Sequence, residues 1–463
     1  MGEVESMQTA VSYAETHQQQ FVEQLLTFLR IPSISPSPDH APDVRRAAEW
    51  LRDHLTASGL EHARLLETGG HPVVYADWLH AGAAAPTVLL YGHYDVQPPD
   101  PLEKWTHFPF DPVIRDGKVY ARGASDNKGQ LFAQVKALEA MLATNGRLPV
   151  NVKICFDGEE EVGSPSLPAF VAAERALLAA DLIVVSDGAM IGSEQPTIDY
   201  ALRGVVSGTM RVSGPQRDLH SGSYGGSVHN PIHVLAAIIA KLHDPFGWVQ
   251  VPGFYDRVLS MSPAERDLLR QVPYTEKLWR AETGAPRPWG EPDYTLLERM
   301  TARPTCEITG IWGGSPQGKT IIPAEASAAF SLRLVANQDA EEIGELFTAY
   351  VLDLAPDTVH VSVDVRSGSN AAVTPFDSAE IMAAVRAYTL GWGVEPVRSR
   401  MGGSLPIIAT LQQALGAPFV LMPFGLDDNR HAPDEHFHLA HLRRGVKTAV
   451  YFYHFLAEAA QTA

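Results

Sequence analysis

The order of apolar and polar positions divides the chain into two styles. In the first half, helical and strand-like patterns take turns, which predicts a largely parallel sheet with crossover helices. Phe21, Leu25, Phe28 and Leu29 recur at helical spacing until Ile31-Pro32 stops them, so a helix is predicted over about 17–30. A second is predicted from Pro42 to about Ser58, with Gly59 able to cap it. The runs PTVLLYG (86–92), VNVKICF (150–156), DLIVVS (181–186) and APFVLMPF (417–424) read as buried strands. Asp116-Gly117 lies between short apolar alternations, a hairpin signal, and a helix near 128–144 ends at Asn145-Gly146.

The middle follows another rhythm. VVSGTMRVSG, ASAAFSLRLV (326–335) and VHVSVDVRSG (359–368) alternate as half-buried strands do, with helices predicted from Pro231 to about His243 and near 339–354. A Pro- and Trp-rich excursion over 245–315 contains Ser262-Pro263-Ala264-Glu265, a helix start with capping-box spacing. These patterns predict an α+β insertion at 201–395 between two parts of a catalytic domain, 1–200 and 396–463. Two domains also suit 463 residues, more than one core usually supports.

Composition narrows the partners. Hydrophobic residues make up 45% and charged residues 19%, as in ordinary globular proteins. The balance of 36 basic and 54 acidic residues, −18, opposes attraction to nucleic acid or anionic lipid, so neither partner is expected. Cys155 and Cys306 have no paired-motif spacing and read as buried free thiols. The start MGEVESMQTAVSYAETHQQQ is polar and acidic, unlike a signal peptide, and no apolar stretch approaches a transmembrane span. A cytoplasmic protein is expected.

The chemistry sits where strands end. His93 and Asp95, Asp126, Glu160 and Glu161, Asp187, and His431 all follow strand-like runs, and residues beyond the carboxyl ends of neighbouring strands converge on one crevice. Imidazoles and carboxylates are ligands for zinc-like ions, and two such ions can share a carboxylate while activating one water. If extended, His93-Tyr94-Asp95 points both outer side chains the same way, so Asp95 can orient His93 as a ligand. Glu160 and Glu161 would then face opposite sides, one for metal and one for water. Taken singly, Asp126 reads as a helix N-cap, Asp187-Gly188 as a turn and His431 as an exposed loop residue. Their joint occurrence favours a metal site.

The motifs YGHYDVQP, ARGASDNKGQ, DGEEEVGS, VVSDG, DLHSGSYGGSVHNP and RHAPDEH together resemble the dinuclear metallopeptidases that include carnosinases, cytosolic non-specific dipeptidases, acetylornithine deacetylase and succinyl-diaminopimelate desuccinylase. The resemblance runs from about residue 15 to the end and is strongest to the dipeptidase branch. It implies a catalytic α/β domain with a mixed, largely parallel sheet flanked by helices, interrupted by a lid that also makes a homodimer. It implies two divalent ions per subunit, zinc first, manganese or cobalt otherwise. One would be held by His93 and Asp187, the other by Glu161 and His431, with Asp126 bridging. Glu160 would be the general base and Asp95 would orient His93. His220 would reach the partner's active site, Thr320 and Ser404 would contact substrate, and Arg333 would bind its carboxylate.

The implied activity is hydrolysis of dipeptides with a free C-terminal carboxylate. Two positions depart from the pattern. Met401, after Arg400, stands where an acid usually pairs with the substrate's amino group, and Asp157 stands where glutamate is more usual. Met401 keeps a second reading open, an N-acyl-amino-acid amidohydrolase or carboxypeptidase.

Overall fold

The computed structural model describes residues 3–462. The chain forms two compact units. The first comprises Met1–Tyr200, Thr374–Ser399 and Thr410–Ala463, the second Ala201–Val373 and Arg400–Ala409. No described helix is long and apolar enough to cross a membrane.

The first unit is built on a mixed sheet. Its strands run in the order Glu61–Leu66, Val73–Trp78, Asn151–Asp157, Thr87–His93, Leu182–Val185, Phe419–Leu421 and then Thr197–Leu202. The four from Asn151–Asp157 to Phe419–Leu421 are parallel, while Val73–Trp78 joins antiparallel. Being covered on both faces, these strands need unbroken apolar runs, which TVLLYG and LIVV supply. Helices Gln18–Leu29, Ala41–Ala57, Lys128–Asn145, Ala379–Trp392 and Leu439–Thr462 belong to the same unit. The α/β class and the mixed, helix-flanked sheet are as the sequence predicts.

Local signals explain most element ends. Gly146 takes φ 64° and returns its N–H to the Leu142 carbonyl at 3.0 Å, closing the Lys128–Asn145 helix. Asp116 (φ 50°) and Gly117 (φ 72°) give the two left-handed residues that a tight hairpin needs. APFVLMPF pairs as a strand only over Phe419–Leu421. Pro423 has no N–H to continue the ladder, and the side chain of Gln130 instead accepts from Phe424 N (2.8 Å) and Gly425 N (3.1 Å).

The second unit holds an antiparallel sheet in the order Thr305–Gly313, Glu325–Leu334, Gly204–Ser213 and His360–Ser369. Helices Pro231–Ala240 and Ala340–Asp353 supply Val234, Leu235, Ile238, Ile343, Phe347 and Val351 to its core, opposite Val206, Met210, Phe330 and Leu332 from the strands. The alternation legible in the sequence is thus the sheet's buried face. Ser262 caps the helix Pro263–Arg270 through Glu265 N, as predicted, but the Glu265 carboxylate pairs with Arg400. A complete capping box forms instead between Thr295 and Glu298. Both cysteines are buried and free.

Asp199 adds a pH dependence to the first unit. It is buried, and desolvation pushes its carboxyl up to about 7. The unfolded carboxyl ionises near its ordinary value while the folded one keeps its proton, so stability falls as pH rises between about 4 and about 7 and is level above. Asp199→Asn should remove that slope. Denaturation midpoints of both proteins measured across this range should diverge increasingly with pH, and a constant difference would remove Asp199 as the cause.

Candidate metal centre

The parallel strands end side by side, and this brings the candidate ligands of the first unit together. His93 is the last residue of Thr87–His93, in register with Asp157 of Asn151–Asp157. Asp187 follows Leu182–Val185 by two residues, and Asp126 precedes Lys128–Asn145, whose cap is Asn127. Asp126 therefore serves the cluster and does not cap the helix. Asn127 ties two of these segments, accepting from His93 N at 3.5 Å and donating to the Ser186 carbonyl at 2.6 Å.

Asp126 presents its two oxygens to different imidazoles. Oδ1 lies 3.0 Å from His93 Nε2, and Oδ2 lies 3.0 Å from His431 Nε2. Asp187 Oδ2 lies 3.6 Å from His93 Nε2, and Glu161 Oε2 lies 3.2 Å from His431 Nε2. Two three-residue groups result, His93/Asp126/Asp187 and Asp126/Glu161/His431, and they share Asp126. Ligands about 2 Å from one ion at tetrahedral angles are about 3.3 Å apart. The observed separations bracket that value.

Charge gives an independent test of fit. Burial, then neighbouring carboxylates, push Glu160 far above the usual range, and Asp187 and Glu161 are raised for the same reasons. His431 is pushed up to about 10 by hydrogen bonds with Asp126 and Glu161. Burial lowers the His93 pKa, but Asp126 and Asp95 outweigh it and hold the ring protonated well above its ordinary value. A buried excess of acid that keeps both imidazoles protonated is an environment that lacks positive charge. The donor set and its electrostatics fit divalent cations.

The glutamates sit differently from the sequence expectation. Glu160–Val162 is a single 3₁₀ turn, not an extended segment. Successive residues are still separated around the turn, and Glu161 meets His431 while the Glu160 carboxylate feels His93, Asp187 and Asp126. The turn is held by buried acids. Asp95 accepts from Glu160 N (3.3 Å), Glu161 N (3.1 Å) and Ser35 Oγ (2.5 Å), with its Oδ1 also 3.3 Å from His93 Nδ1. Asp157 accepts from Glu159 N (3.0 Å) and Ser164 Oγ (2.5 Å), so its shorter side chain is used for holding the turn. Gly158 is required here because a Cβ would come 2.3 Å from the Tyr94 hydroxyl.

Several supporting residues were not singled out from sequence. Glu435 is fully buried and accepts from Ser125 N, Asp126 N and Gly123 N at 2.9–3.0 Å and from Arg122 Nη1 at 2.7 Å, fixing the backbone that carries Asp126. Gln97 donates to Glu161 Oε2 at 3.0 Å. Only their neighbourhood to RHAPDEH and YGHYDVQP could have marked them.

The remaining candidates lie in the second unit. His220 and Thr320 are brought together by a short ribbon, where Leu219–His220 pairs with Ile321–Ile322 and Ser221 N donates to the Thr320 carbonyl. His220 Nδ1 accepts from Gly222 N at 3.1 Å, which leaves Nε2 to carry the ring proton. Arg333 Nη1 donates to Ser404 Oγ at 2.8 Å. Arg333 lines a cavity of about 510 Å³ with Arg203, Glu307, Trp279, Trp289 and Met300. Burial, then the neighbouring Arg333 charge, lowers Arg203 to about 10, while Glu307 acts against them.

An α/β sheet that gathers imidazoles and acids at its strand ends defines the class, a metal-binding hydrolase. Residues 89–454 match the peptidase family M20/M25/M40, and the chain belongs to that family. It is 32% identical over 459 residues to the Cys-Gly metallodipeptidase dug1 of Schizosaccharomyces pombe, covering 95% of this chain and 96% of that one. The crystal structure of human carnosine dipeptidase 1 superposes with a TM-score of 0.78 at 30% identity, covering 98% of this chain and 99% of that one. The M20 family metallo-carboxypeptidase Sso-CP2 of Sulfolobus solfataricus gives 0.83 at 29% identity, over 95% and 99%.

Proposed function

We propose that this chain is a metal-dependent dipeptidase that cleaves the amide bond next to a free C-terminal carboxylate. The observation that carries this reading is the placement of Asp126, each oxygen 3.0 Å from a different imidazole, with Asp187 and Glu161 completing two groups. His93, Asp126 and Asp187 would hold one divalent ion, and Asp126, Glu161 and His431 the other. Zinc suits these donors, and manganese or cobalt are also accepted. Such ions supply Lewis acidity toward the scissile carbonyl and toward water.

The protein's own groups do the rest. The Asp95 main-chain carbonyl receives the His93 Nδ1–H at 3.2 Å, with the Asp95 carboxylate at 3.3 Å, and Nε2 is left as the ligand atom. Glu160, among buried acids, takes the proton from the attacking water and returns it to the leaving amine. His220 offers its Nε2–H to charge developing on the carbonyl oxygen, acting from the second subunit of a homodimer. Arg333 pairs with the C-terminal carboxylate, and Thr320 and Ser404 hydrogen-bond the substrate. We assign the enzyme to the cytoplasm, with small peptides as partners and neither nucleic acid nor membrane.

Release of amino acids from a dipeptide panel, with zinc, manganese or cobalt supplied, tests this reading. Cleavage of N-acylated amino acids alone would replace it with the second one. That alternative, an N-acyl-amino-acid amidohydrolase or carboxypeptidase, is favoured by Met401 and by the likeness to Sso-CP2. Met401→Glu should raise the preference for free-amine over blocked substrates by about 10-fold or more, the worth of a charge-assisted hydrogen bond. An unchanged ratio of kcat/KM values would separate position 401 from recognition of the amine end.

A further inference from the structure

A second cluster of ligand-type side chains lies in the first unit, outside the set described above. The strand His436–His438 alternates in the usual way, with Phe437 wholly buried on one side and both imidazoles on the other. Their Nε2 atoms lie 3.3 and 3.4 Å from the same oxygen, Oδ1 of Asp428. These are the spacings of ligands about 2 Å from one tetrahedral ion. The Asp428 side chain is only 6% exposed, and its Oδ2 is buried without a hydrogen-bond partner among the described residues. Buried carboxylate oxygens are normally satisfied, so this atom needs an explanation.

The hydrogen bonds around His436 prepare it as a ligand. Its Nδ1 lies 3.0 Å from the Asp434 carbonyl, an obligate acceptor, so Nδ1 carries the proton and Nε2 keeps a lone pair. Lys118 Nζ stands 3.1 Å from that Nε2, a monovalent cation beside the ring atom that would face the metal. Its flexible stem allows it to swing aside.

We propose that Asp428, His436 and His438 form a third, structural site for a zinc-type divalent cation. The site closes the segment 428–438, and His431 lies within that segment at φ 57°, a left-handed conformation that the loop must hold. The ion would fasten the loop at its base and so position His431. It is separate from the two-ion assignment, and either can fail alone.

Crystals of the full chain soaked in zinc and measured on both sides of the zinc edge test the proposal. An anomalous peak within about 2 Å of His436 Nε2 and His438 Nε2 supports it, whatever is seen at Asp126. Peaks around Asp126 with none here would overturn it and leave the dipeptidase reading untouched. In solution, His436→Gln/His438→Gln should bind one zinc fewer per chain than the wild type, with unchanged far-ultraviolet circular dichroism as the check on folding. Lys118→Met should tighten binding of that zinc several-fold. If the double variant keeps the full zinc count and Lys118→Met changes nothing, the cluster is a polar network without a metal.

Discussion

Glu160→Gln should lower dipeptide turnover by about 10²–10⁴-fold, the worth of a positioned general base, while leaving bound metal unchanged. The amide keeps the size of the side chain but cannot accept the proton of the attacking water. Glu160 belongs to neither three-residue ligand group, so its loss should not release an ion. Metal analysis and steady-state kinetics on the same preparation check both halves. Turnover within a few-fold of wild type would take Glu160 out of the base role, and lost metal would make it a ligand instead.

Glu435→Ala should be among the most destabilising single changes in the chain. The carboxylate and Arg122 are both about 1% exposed and lie 2.7 Å apart. Removing one member of a buried pair leaves the other charge uncompensated, at a cost of about 3–5 kcal/mol. Here the N–H groups of Gly123, Ser125 and Asp126 lose their acceptor as well. The unfolding midpoint should drop by several degrees, and what folds should bind metal more weakly because the Asp126 backbone is released. Glu435→Gln, which keeps one acceptor oxygen, should be milder. An Ala variant that melts with the wild type would mean that water replaces the carboxylate without loss.

The legible parts of the chain were those set by local rules. Strands covered on both faces need continuous apolar runs, so Thr87–His93 and Leu182–Val185 were visible, as was the hairpin at Asp116-Gly117. The strand Phe419–Leu421 is shorter than its apolar run because Pro423 has no N–H and Gln130, almost 300 residues away, takes the two N–H groups that follow it. The Glu160 turn departs from the extended conformation expected from sequence for a similar reason. Asp95 and Asp157 hold its N–H groups, and no local signal reports acceptors that arrive from elsewhere.

What the sequence determined by itself was the α/β class, the apolar runs of the buried strands and the ligand-type residues that follow them, since periodicity and residue chemistry are properties of short windows. What only the tertiary structure decided was which of those side chains share an oxygen. Asp126 and His431 are 305 positions apart and meet at 3.0 Å, and Glu435, 309 positions from Asp126, accepts its N–H at 3.0 Å. Such meetings depend on strand order and on the buried acids that fix each loop, quantities that involve the whole chain at once.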